Sequence, residues 1–140
     1  MTNKPTYVPV VAAVIADVGG RLLLQLRPAG KRHAGLWEFP GGKVEAIESP
    51  RFALCREVRE ELGLELDLAT LEPAGFAEEE PHDGHPGIVL LLYRCARWRG
   101  SPQSLDGQRW GWFTPAEAAS LDMPRMDRQL LAGLDRAGAG

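Results

Sequence analysis

Glu57, Glu60 and Glu61 stand at i, i+3 and i+4. On a helix that spacing puts three carboxylates on one side. Like charges so placed repel, each pair costing about 0.2–0.5 kcal/mol in an isolated helix. They also fall in the helix's C-terminal half, where the backbone dipole disfavours anions. A solvated acidic face is the ordinary explanation of such a cluster. Here a Gly-rich segment, Pro40-Gly41-Gly42, and a fourth acid, Glu48, precede the helix at definite spacings. A divalent cation would turn the repulsion into attraction. Hard carboxylate oxygens suit Mg²⁺ or Mn²⁺, which also take water and substrate phosphates as ligands.

The helix that must carry these residues has clear ends. Ser49-Pro50 supplies a capping hydroxyl and a proline for the first turn, and Gly63 follows Leu62 as the stop. Leu54, Val58 and Leu62, joined by Cys55, make its apolar face. Residues 8–16 and 22–27 predict two strands joined by the turn 17–20, and so a hairpin. Residues 28–35 predict a loop carrying Lys31, Arg32 and His33. Residues 36–39 predict a short extended piece, and Pro40-Gly41-Gly42 a turn where backbone comes close to something. Further strands are expected near 74–79, 88–98 and 110–113. Thr114-Pro115-Ala116-Glu117 is a capping box opening a short helix, and a last helix is expected near 125–134. Strands and helices mix without strict alternation, which points to an α/β fold, a mixed sheet with helices on its faces.

Composition bounds the function. The 140 residues are 44% hydrophobic and 25% charged, as expected of one globular domain, with an ordered core over about 8–134. Residues 1–6 and those from about 135 onward are expected to be loose. Sixteen basic against nineteen acidic residues give net charge −3, which offers no global field for a nucleic-acid polymer. Cys55 and Cys95 fit no metal or redox spacing and read as buried apolar residues. No signal peptide or bilayer-spanning segment is visible, so the expected location is cytoplasmic, with no membrane partner. His33, His82 and His85 form no competing ligand set. The stretch 82–87 predicts a loop between strands that closes over a ligand or simply turns. Trp110 and Trp112, two apart, predict packing on one strand face, and Arg94, Arg97 and Arg99 a solvated one.

The spacing Gly42, five residues, Glu48, seven residues, then Arg56-Glu57-Val58-Arg59-Glu60-Glu61-Leu62-Gly63-Leu64 resembles the Nudix box, with nine specified positions across 23 residues. The likeness extends through 36–45 and through 97–113 and 123–130, where it is similar to the MutT branch, covering roughly 8–134. The resemblance implies an α/β/α sandwich whose box forms a loop–helix–loop. It implies a hydrolase acting on a nucleoside diphosphate linked to another group. In the MutT branch that means a nucleoside triphosphate cut to monophosphate and pyrophosphate, water attacking the β-phosphorus, with removal of 8-oxo-dGTP the best-known task. Hydrolysis of CTP or 5-methyl-dCTP, of ADP-ribose or of a dinucleoside polyphosphate are the alternatives, and a non-catalytic nucleotide-binding module is a further one. The implied partner is a small-molecule nucleotide, the protein being a monomer or homodimer.

By the same resemblance the metal ligands are Glu57, Glu60, Glu61 and the Gly41 carbonyl, holding Mg²⁺ or Mn²⁺. Gly42, Glu48 and Arg56 are structural support, the last two expected to pair and orient the helix. The general base is Glu57 or an acid on a later loop, here Asp106, which equally reads as a turn former before Gly107. Val8, Arg27, Phe39 and Asp127 fall at positions near the nucleotide. Asp127 stands where many MutT enzymes carry Asn. An ionised Asp only accepts hydrogen bonds, whereas an amide both donates and accepts, so Asp127 is compatible with an oxidised guanine edge or with a cytosine amino group.

Overall fold

The computed structural model describes residues 6–30 and 34–139, the last five by backbone alone. Lys31, Arg32 and His33 of the predicted basic loop lie outside the described residues, as do residues 1–5. The chain runs β1 (Tyr7–Val14), β2 (Leu22–Leu26), β3 (Trp37–Glu38), β4 (Gly41–Lys43), α1 (Pro50–Leu62), β5 (Glu65–Leu66), β6 (Leu71–Glu79), β7 (Gly87–Cys95), β8 (Trp98–Arg99), β9 (Arg109–Phe113), α2 (Pro115–Ala119) and α3 (Arg125–Ala139). The last helix thus continues past the expected end.

One sheet has the order β4-β1-β7-β6, a second β3-β2-β9, and a third pairs β5 with β8. β1 runs parallel to β7 and antiparallel to β4, which makes the first sheet mixed. The expected β1–β2 hairpin is confined to its turn end, where the Asp17 amide donates to the Arg21 carbonyl and the Leu23 amide to the Ile15 carbonyl. Only the bridge Ala16↔Leu22 joins the two segments, and β2 instead pairs with β3 and β9. The predicted turn at Pro40-Gly41-Gly42 is likewise a strand in its second half, Gly41–Lys43 lying along β1.

Side-chain alternation along β1 builds a core on each face. Val11, Ala13 and Ile15 pack with Ala53, Leu54, Val58 and Leu62 of α1. Ala12 and Val14 point the other way, into a cluster with Ala118 of α2 and Met126, Leu130 and Leu131 of α3. Helices therefore cover both faces of the sheet, as the α/β/α expectation requires. None of the described helices is long and apolar enough to cross a membrane.

α1 is held where its sequence says. The Ser49 hydroxyl accepts from the Phe52 amide, and Gly63 takes the left-handed φ of 71° while its amide donates to the Arg59 carbonyl. Trp112 stacks on Trp98 with ring centroids 5.9 Å apart, beside the α1 core. Trp110, expected to pack, is 36% exposed. Arg94, Arg97 and Arg99 are exposed, the last paired with Glu65 at 2.8 Å. Cys95 is buried and Cys55 half-buried, both free thiols.

Candidate active site

Arg56 organises the near end of the site. Its Nε and Nη2 donate to the two oxygens of Glu48 at 2.5 and 2.9 Å, a two-pronged ion pair. Its Nη1 reaches Glu57 at 3.0 Å and Glu60 at 3.2 Å. Glu48 also accepts from the Glu45 amide at 2.9 Å. The guanidinium beside Glu48 holds that carboxyl down at about 2. One arginine thus ties the loop before α1 to the helix and stands among its carboxylates, and the expected Arg56–Glu48 pair is present.

The glycines matter through what they lack. A Cβ on Gly42 would sit 2.4 Å from the Glu57 carboxyl, and one on Gly41 would sit 1.9 Å from the Val11 carbonyl oxygen. Bare backbone lets β4 pair closely with β1 while the Glu57 carboxylate lies against it. Glu57 is half-buried, and burial raises its pKa.

Glu61 faces inward. It accepts from the Gln25 side-chain amide at 3.2 Å. Burial pushes its carboxyl up to about 8, and the charges of Glu57, Glu38 and Asp106 add to the rise. Glu60 points outward, its side chain 57% exposed. Among the described residues no three acidic, His or Cys side chains already converge as a metal-binding group. The donor chemistry nonetheless fits a hard divalent cation: carboxylate and carbonyl oxygens, a glycine cradle, and a crowded anionic face whose local repulsion a cation would relieve.

A cleft of about 450 Å³ is lined by Gly41, Gly42, Glu57 and Glu61 together with Arg27, Phe39 and Asp127, three of the residues expected near the nucleotide. Asp127 is 5% exposed and accepts from the Phe39 amide at 3.1 Å. Burial, then the nearby Glu38 charge, pushes its carboxyl up to about 7. Phe39 is buried in the α3-side core while bordering the cleft. Arg27 pairs with Glu38 at 3.0 Å. Val8 is not among the cleft residues; Val10, on the same face of β1 two residues on, lines it instead. Nor does the loop 82–87 reach the cleft, which begins at Ile88 on that side.

Asp106 borders a small pocket of about 80 Å³ shared with Gln25, Glu38, Glu61 and Gln108. Its loop is fastened to the end of α1. The amide of Leu105 and the Gln108 side chain both donate to the Glu61 carbonyl, at 3.0 and 2.9 Å. Gln108 in turn accepts from the Asp106 amide at 3.1 Å, and Gly107 takes a positive φ. Asp106 is therefore both a turn residue and a neighbour of Glu61.

Sequence reasoning missed Glu38, Gln25 and Gln108. Glu38 adjoins Phe39 in the matched 36–45 segment, which was a usable signal; the two glutamines carry none. A larger groove of about 980 Å³ on another side of α1 is lined by Arg59, Arg97 and Arg99 together with Asp17, Glu65 and Asp67. None of the expected site residues borders it.

These features define the class, and comparison with known proteins agrees. The NUDIX domain model matches residues 6–134, so the chain belongs to the Nudix family. A CTP pyrophosphohydrolase of Escherichia coli K12 is 40% identical over 124 residues, 89% of this chain and 88% of that one. An 8-oxo-dGTP diphosphatase of the same organism is 30% identical, covering 91% and 95%. Among solved structures, the E. coli ORF135 protein superposes with TM-score 0.83 at 36% identity, covering 99% and 96%. A MutT Nudix hydrolase from Burkholderia pseudomallei superposes with TM-score 0.80 at 26% identity, covering 91% and 98%. The chain is a MutT-like Nudix hydrolase, an enzyme acting on nucleotide phosphoanhydrides.

Proposed function

We propose that this enzyme is a Mg²⁺-dependent nucleoside triphosphate pyrophosphohydrolase that releases monophosphate and pyrophosphate, with an oxidised nucleotide such as 8-oxo-dGTP as its substrate. The observation that carries the reading is one cleft lined by carboxylates and the glycine strand together with buried Asp127 beside Phe39. Gly41, Glu57, Glu60 and Glu61 would hold Mg²⁺, with Mn²⁺ as a substitute. Bound there, the metal would neutralise phosphate charge and make water a better nucleophile.

The chain's own residues do the rest. Arg56, anchored on Glu48, keeps the carboxylate face of α1 set against β4. Glu57 or Asp106 takes the proton of the attacking water. Asp106 has the alternative position, on a loop pinned to the Glu61 carbonyl through Gln108. At the base end Phe39 offers an apolar wall, and Asp127 meets the polar edge. A carboxyl near pKa 7 accepts when ionised and donates when protonated.

A second reading is favoured by a specific observation. The relative 40% identical over 124 residues is a CTP pyrophosphohydrolase, and a carboxylate at Asp127 can accept from a cytosine amino group. A hydrolysis panel with Mg²⁺ separates the readings: 8-oxo-dGTP, dGTP, CTP, 5-methyl-dCTP, ADP-ribose and a dinucleoside polyphosphate, with products resolved by chromatography. Dominant turnover of 8-oxo-dGTP to monophosphate and pyrophosphate is expected. A cytidine preference would move the assignment to the second reading, and turnover of ADP-ribose alone would overturn both.

A further inference from the structure

Gln25 is a buried polar residue in an unusual setting. It lies on β2, the central strand of its sheet, paired across to Glu38 on one side and Trp110 on the other. Its backbone is therefore fixed from both edges. The side chain is part of a residue only 3% exposed. Its amide nitrogen donates to Glu61 at 3.2 Å and reaches Glu38 at 3.5 Å, the outer limit of a hydrogen bond. The amide nitrogen thus faces two carboxyl groups, which turns the amide oxygen the other way. The consequence is a buried amide oxygen with no protein hydrogen-bond partner among the described residues.

A buried acceptor left unpaired is a local conflict, and such conflicts concentrate where function requires them. A leucine here would complete the apolar strand without the conflict. The glutamine instead supplies one donor, and that donor goes to the inward-facing carboxylate of α1. It also borders the small polar pocket between Glu61 and Asp106, which is large enough for ordered water.

Resting on the metal-dependent hydrolase reading above, we propose that Gln25 is a positioning residue of the hydrolytic site. It fixes the Glu61 carboxylate where that side chain borders both the small pocket and the larger cleft, beside the Glu38–Arg27 pair. Nothing in the box itself encodes this support, because Gln25 lies 17 residues before Gly42 on a different sheet.

The test is Gln25→Met, which keeps the side chain's length and removes its donor. Mn²⁺ binding to the nucleotide-free protein, followed by electron paramagnetic resonance, is measured beside steady-state kinetics and a thermal melt. The expected result is a folded protein whose Mn²⁺ dissociation constant rises at least fivefold. Its kcat should fall at least tenfold while KM for the nucleotide stays within twofold. Unchanged Mn²⁺ binding and kcat in a folded variant would overturn the proposal, as would a change confined to KM. Gln25→Leu, which also removes the donor, is the second variant and should behave likewise. Failure of both to fold would make Gln25 structural and also overturn the proposal. A wild type that binds Mn²⁺ but hydrolyses no nucleotide would sink the functional reading alone, with Gln25 still judged by Mn²⁺ binding. A wild type that binds no Mn²⁺ would overturn both.

Discussion

The two faces of α1 follow opposite rules. On one, Leu54, Val58 and Leu62 are fully buried against β1, and each choice favours the fold. On the other, three glutamates crowd the wrong end of the helix dipole, and two of them hold raised proton affinities because they are partly buried. The first face supplies the rigidity that lets the second be kept. Stability and activity should therefore respond to different residues of one thirteen-residue helix.

The largest separation is expected at Glu61→Gln. Activity should fall roughly 10³-fold, ~4 kcal/mol in the barrier, while the metal-free protein melts no lower than wild type. Steady-state hydrolysis beside a thermal melt reads both; a variant that keeps its activity would remove Glu61 from the site. Leu54→Ala should do the converse. It should cost about 3 kcal/mol of stability in denaturant titration and leave kcat of the still-folded fraction nearly intact.

Arg56→Met touches both faces' boundary, since the guanidinium joins Glu48 to Glu57 and Glu60. A loss of about 10–100-fold in kcat is expected, with weaker metal binding measured by calorimetry. An unchanged kcat would show that the carboxylates need no such tether.

Asp127→Asn should sharpen the contrast through pH. Asp127 titrates near 7 in the fold against about 3.8 unfolded. The folded protein therefore binds the extra proton between these values, and its stability falls as pH rises from about 4 through about 7. The variant lacks this loss, so its stability relative to wild type should grow by roughly 2–3 kcal/mol from pH 5 to pH 8. A gap independent of pH would contradict the raised value. The smallest effect is expected from Ser49→Ala, which removes the cap on the Phe52 amide and should cost about 1 kcal/mol with no change in kcat.

What was legible in the sequence is local. Ser49, Pro50 and Gly63 bound α1 through bonds to near neighbours, and the box spacing places four acids and an arginine on that loop and helix. Arg56 pairing with Glu48 follows from the same short range. The partners of β1 were not legible. Its parallel mate β7 lies 80 residues on, and the turn 17–20 invites a hairpin that long-range pairing overrides. Gly41-Gly42 looks like a turn because glycine usually makes one; here it makes room between β1 and the Glu57 side chain. Gln25 and Gln108 stayed hidden for another reason. An amide becomes a site residue only through what it is folded against, and neither has a spacing of its own.

The unfavourable face of α1 should become favourable when it binds a divalent cation. A Mg²⁺ titration of the melting temperature at pH 8, wild type beside Glu61→Gln, tests it most directly. In the wild type the melting temperature should rise by several degrees as Mg²⁺ saturates, from preferential binding to the folded state, and in the variant little or not at all. An equal rise in both, or none in the wild type, would contradict it.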